Sequence, residues 1–168
     1  MSSSIAKAFE LLQVDQYLMP LIALEDGRPG FSADLGSNLF EGAKLPREAQ
    51  AGFLLCAGFG SRSHNISQDL ASPEGSYWHA IYHRMEPDDW NAKYWFRKVG
   101  MHPIAKQLCE ASQKAGWNPG RNWDHSRFVD FVAEARSSGN QSNEALAKTV
   151  QRIEWRLLFE YCAKEVTE

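Results

Sequence analysis

Proline and glycine punctuate this chain at the spacing of short helices. Ser72-Pro73 opens a segment that must close at or before Glu86, because Pro87 pushes the residue ahead of it out of the helical region. Asp88 is placed to cap DDWNAKYWFRKV, which Gly100 ends, and Pro103 starts PIAKQLCEASQKA, which Gly116 ends. Pro46, with Glu48 in the first turn, starts a buried helix that stops near Gly58 or Gly60. Before it, Ile5, Phe9, Leu12 and Leu18 predict a helix from about residue 4 to about residue 24, ahead of the breaker Gly27-Arg28-Pro29-Gly30. Residues 31–45 read as an ordered loop. Asp124 or Ser126 caps a helix reaching about Arg136, and Ser142 caps a long one striped by Leu146, Val150, Ile153, Leu157 and Tyr161. No hairpin signal and no sustained alternation occurs. The expectation is an all-α fold, one domain over residues 1–168, with about six or seven helices.

Composition narrows the function classes. A length of 168 residues suits one domain, and 43% hydrophobic residues supply a core. No run approaches the ~20 apolar residues of a membrane crossing, and charges break every apolar stretch of the first eighteen residues, which argues against a signal peptide. The net charge is −3, and its distribution hides no basic arm: residues 1–63 hold 5 basic and 7 acidic side chains, 64–125 hold 7 and 7, and 126–168 hold 6 and 7. Nucleic acid and membrane are therefore excluded as expected partners. Cys56, Cys109 and Cys162 lie 53 residues apart in each step, the pattern of reduced thiols in a cytoplasmic protein.

The chemistry-bearing residues are concentrated. All five histidines (His64, His79, His83, His102, His125) and five of six tryptophans fall between residues 64 and 125, so the site is expected there. On a helical wheel Trp78, Ile81, Tyr82 and Met85 share an arc of roughly 100°, the expected core face. His79, His83 and Glu86 form a strip beside it, at the border with solvent. The next helix carries Trp90, Tyr94, Trp95 and Phe96 nearly all the way round, which predicts a helix wrapped by others. Its short connection to the preceding helix predicts a hairpin, a few polar groups among aromatic walls.

Two functional readings follow. In the first, the hairpin forms a pocket for a small polar or anionic molecule, with His79 or His83 as general base and Glu86 as orienting group or acid. Arg84, Lys93 or Arg97 would hold the substrate's polar group, Trp78 and Trp95 would wall it, and His64 and Asn91 would complete its lining. In the second, the chain is an interaction or homodimerisation module without catalysis, with Trp155, off the main stripe of the last helix, facing a second molecule. No established metal motif is present, and no cofactor is assigned; Ala80 stands where a zinc-protease helix needs glutamate. His79 and His83 are nevertheless spaced to share one ion if a third donor faces them, Glu86, His64 or His102. A nucleophile elbow and a phosphate-binding loop are both absent from the sequence.

The run SYWHAIYHRMEPDDWNAKYWFRKVGMHPI, with SHNISQ upstream, resembles a widespread set of uncharacterised bacterial and fungal proteins over about residues 60–104. The resemblance implies that His64, His79, His83, Arg84, Glu86, Asn91, Lys93, Tyr94 and Trp95 form that set's signature. It implies no reaction.

Overall fold

Each helix begins and ends where backbone chemistry dictates. The computed structural model describes residues 3–32 and 45–164. Among them are α1 (Ser3–Leu12), α2 (Arg47–Ala57), α3 (Gly60–Ser67), α4 (Pro73–Met85), α5 (Asp89–Val99), α6 (Ala105–Lys114), α7 (His125–Ser137) and α8 (Gln141–Cys162). The class is all-α, with eight helices among the described residues where six or seven were expected. Ser72 caps α4 by accepting from the Gly75 amide at 3.1 Å, and Pro73 occupies the first turn, where its missing N–H costs nothing. Asp88 and Asp124 cap α5 and α7 in the same way, each at 3.1 Å. Asn140, rather than Ser142, caps α8. Positions 33–44 of the expected loop lie outside the described residues.

Helix α1 departs from expectation, ending at Leu12 instead of near residue 24. Gln13 takes a left-handed φ of 52°, and the Val14 amide reaches back to the Phe9 carbonyl at 3.2 Å. That is a Schellman-type stop built without glycine. The following segment then laces helix ends together. Ala23 N donates to Met85 O, Gly60 N to Leu24 O, Gly27 N to Gly58 O and Arg28 N to Ala57 O, all at 2.8–2.9 Å. Gly58 closes α2 with φ 92°, and a Cβ there would stand 2.8 Å from the Arg28 nitrogen. Arg28 is itself buried, donating to Leu12 O at 2.8 Å with its guanidinium 3.5 Å from the Tyr17 ring centre.

Helix α4 runs through the middle. Every residue from Gly75 to Met85 is buried, against α2, α3 and α5 and through side chains against α8. His79 and His83 are therefore core residues, not residues of a solvent border. The α4–α5 hairpin forms as expected, but α5 is not wrapped on all sides: Trp90 is 75% exposed and Tyr94 is also exposed. Trp155 corrects the expected dimer seam. It is buried, stacks on Phe159 and donates its indole N–H to Gly52 O at 2.8 Å.

The buried face of α8 is also rotated from the expected stripe. Of the expected stripe only Val150 is fully buried; it points inward with Ala147, Gln151, Glu154, Trp155, Leu158, Phe159 and Cys162, whereas Leu146, Ile153, Leu157 and Tyr161 are half-buried. Two polar residues enter the core because they are partnered there. Glu154 accepts from Arg84 Nη2 at 2.6 Å and from Tyr77 Oη at 3.1 Å, while Gln151 faces Arg84 and donates to the Pro20 carbonyl. The Phe128 ring covers the Arg84 guanidinium at 4.6 Å. No helix among the described residues is long and apolar enough to cross a membrane.

Glu154→Leu should destabilise the fold by about 3–5 kcal/mol, because it leaves Arg84 charged, buried and unpaired. Adding Arg84→Met should recover most of that loss. Urea unfolding of both chains measures the coupling; simple addition of two losses would show that the residues act independently.

Candidate functional site

Three histidines converge where α3 crosses α4. The i, i+4 spacing puts His79 and His83 on one face of α4, with Nε2 atoms 2.8 Å apart. His64 enters from α3, its ring centre 4.5 Å from that of His79 and 5.2 Å from that of His83. One ring nitrogen of each histidine lies within 4.8 Å of the others. The local chain explains the placement of His64. Gly60 has no room for a side chain, since a Cβ would stand 2.8 Å from Glu25 Oε1 and 2.9 Å from the Tyr82 ring. Glu25 holds the start of α3 by accepting from the Ser61 amide at 2.7 Å and from the Ser61 hydroxyl.

Burial favours the neutral imidazole at His79 and His64. Burial lowers His79 to about 3, with the charges of His64, His83 and Lys98 acting in the same direction. Burial also lowers His64. The Trp95 indole stacks on His79, centre to centre 4.1 Å, and Tyr82 packs against His64 at 4.9 Å. Glu86, the C-cap of α4, faces His83 Nδ1 with Oε2 at 3.0 Å and is half-exposed. Asn91 Nδ2 lies 3.2 Å from His83 Nε2.

Of the expected site residues, the fold thus gathers His64, His79, His83, Glu86, Asn91 and Trp95. It sends the others elsewhere. Trp78 is wholly buried beside Trp155, and Arg84 is committed to Glu154, so neither meets a ligand here. Lys93 turns to Asp130 of α7 at 2.5 Å. Arg97 is exposed and lines a separate cavity of about 470 Å³ with Phe96, Trp123 and His125. His102 belongs to another group, 3.4 Å from Glu74 Oε1 and packed on Tyr77 and Tyr161. Sequence reasoning assigned Tyr82 to the core alone and missed Glu25. The wheel position of Tyr82 beside His79 and His83 was a usable signal for the first; nothing local signalled the second.

Comparison with family models, with curated proteins and with solved structures gives no match for this chain.

His125 begins α7 half-buried, stacked on Phe96 at 4.4 Å, with its Nδ1 accepting from Trp123 Nε1 at 2.9 Å. Burial, then the charges of Arg84 and His102, lower it to about 3, against the opposing charge of Asp124. The unfolded chain takes up this proton near 6.5. Below that pH the unfolded state binds a proton that the folded state refuses, so stability falls as pH drops from about 6.5 towards 3. Denaturation midpoints across that window should decline less steeply in His125→Phe than in the wild type. Equal slopes would remove His125 from the acid response.

Proposed function

We propose that this chain holds one divalent metal ion on His64, His79 and His83, and acts through the ion's remaining coordination position on water or a small polar or anionic molecule. The observation that carries the reading is the convergence of three imidazoles from two helices within 4.8 Å. An ion about 2.0–2.1 Å from each nitrogen separates tetrahedral ligands by about 3.3 Å. That spacing lies between the 2.8 Å of the His79–His83 pair and the 4.8 Å outer bound. Neutral imidazoles are the protonation state a metal requires. Three histidines leave a fourth position for water, whose pKa such an ion brings to about 7, so the supported chemistry is metal-assisted hydrolysis or addition of water. The three free, buried cysteines suit a reducing cytoplasm.

A metal-free reading, with Glu86 orienting His83 as a general base, rests on the 3.0 Å contact between them. It is the weaker one, because His79 Nε2 stands 2.8 Å from the His83 nitrogen that would have to receive the substrate's proton.

Protein purified without a histidine tag and equilibrated in turn with zinc, cobalt, manganese and nickel should retain one ion per chain by elemental analysis. At an ion concentration of about 100 times Kd, binding should add about 2.7 kcal/mol of stability. His64→Ala, His79→Ala and His83→Ala should each abolish retention, and His102→Ala should not. Retention unchanged in His64→Ala, or absent from the wild type, would overturn the reading.

A further inference from the structure

His83 belongs to two overlapping donor sets. One is the trio with half-buried His64 and buried His79; the other joins His83 to Glu86 and Asp88, both exposed, at the α4–α5 junction. A single imidazole cannot serve both through one nitrogen, so the tautomer of His83 decides which set is available. Its Nδ1 faces Glu86 Oε2 at 3.0 Å, and its Nε2 faces His79. A carboxylate is an acceptor only, so the 3.0 Å contact to Glu86 Oε2 assigns the hydrogen to Nδ1. The lone pair then sits on Nε2, aimed at the trio. Asp88 is already employed, since its carboxylate caps α5 through the Asn91 amide.

Resting on the metal reading above, we propose that Glu86 is a positioning residue: it fixes His83 as the Nδ1–H tautomer and thereby commits the ion to the three-imidazole set rather than to the exposed carboxylates. The carboxylate–histidine–metal arrangement also makes the ligating nitrogen more basic, and loss of such a partner characteristically costs about 10–100-fold in metal affinity. Asn91, whose amide lies against the same ring, limits rotation of His83 about the Glu86 contact.

The test has one arm without metal and one with it. In the metal-free protein, long-range proton–nitrogen NMR should show His83 protonated on Nδ1. That state should persist in Glu86→Gln, whose amide oxygen still accepts, and be lost in Glu86→Ala. An Nε2-protonated His83 in the wild type, or no change in Glu86→Ala, overturns the proposal whether or not metal binds. In the second arm, competition with a chromophoric chelator measures zinc affinity. Glu86→Ala should fall about 10–100-fold, Glu86→Gln should fall less, and Asp88→Asn should stay within about twofold of the wild type. Asp88→Asn falling as far as Glu86→Ala would place the ion on the exposed set and overturn the proposal. A wild type that binds no zinc, cobalt, manganese or nickel would instead fail the metal reading itself, while the NMR arm still reports on Glu86. Thermal unfolding of each metal-free variant separates these outcomes from loss of fold.

Discussion

A charge pair with no access to water governs how this bundle packs. Arg84 and Glu154 are both fully buried, on α4 and α8, 2.6 Å apart. Desolvating two charges costs several kcal/mol each, and the attraction repays this only in good geometry with further hydrogen bonds. Tyr77 on α4 and Gln151 on α8 supply those hydrogen bonds, and the Phe128 ring of α7 covers the guanidinium. Gln151 in turn reaches the Pro20 carbonyl, and Arg136 of α7 donates to the Arg84 carbonyl and to Asp89. The Arg84 Nε and Nη1 atoms find no hydrogen-bond partner among the described residues, so the pair favours one arrangement of α4, α7 and α8 more than it adds net stability. An apolar replacement could be as stable, yet it would specify the rotation of α8 less narrowly.

That rotation marks where reading the chain as a pattern fails. The helix starts were legible because capping is local: Ser72, Asp88 and Asp124 each bond an amide three residues on. The face of α8 was legible only in part, because Val150 does point inward but Leu146, Ile153 and Leu157 flank the inner face, and Gln151 and Glu154 look like surface residues until Arg84 is seen opposite. An isolated acid next to Trp155 and Leu158 was the available hint. Helix α1 was overextended for a related reason. A left-handed glutamine leaves no compositional mark, and Leu18 sits at helical spacing by coincidence.

The site was half legible. Four-residue spacing put His79 and His83 on one face, and three-residue spacing brought Glu86 to the same turn. The arrival of His64 needed the α3–α4 crossing, which no single-helix argument contains. Conversely, Arg84, Lys93 and Arg97 were drawn into the expected pocket because they are neighbours in sequence. Arg84 is one position from His83, and Lys93 and Arg97 are each two from Trp95; residues so spaced on a helix face different directions, and these three went to α8, α7 and solvent.

The segment between α1 and α2 bears on how such a site tolerates sequence change. At positions 23 and 24 its ties to the two helices of the histidine cluster run through backbone groups, the Ala23 amide to Met85 and the Leu24 carbonyl to Gly60, while Glu25 adds a side-chain tie to Ser61 and Tyr82. Side-chain identity at positions 23 and 24 is therefore nearly invisible to His64. Segment length is not, because the same strand continues into the paired contacts of Gly27 and Arg28 with the end of α2. One inserted residue between Leu24 and Gly27 would throw the two anchor points out of step and carry Glu25 away from Ser61, shifting α3 along α4. In variants of this chain, a free choice of residues at positions 23 and 24 should go with a fixed number of residues between α1 and α2.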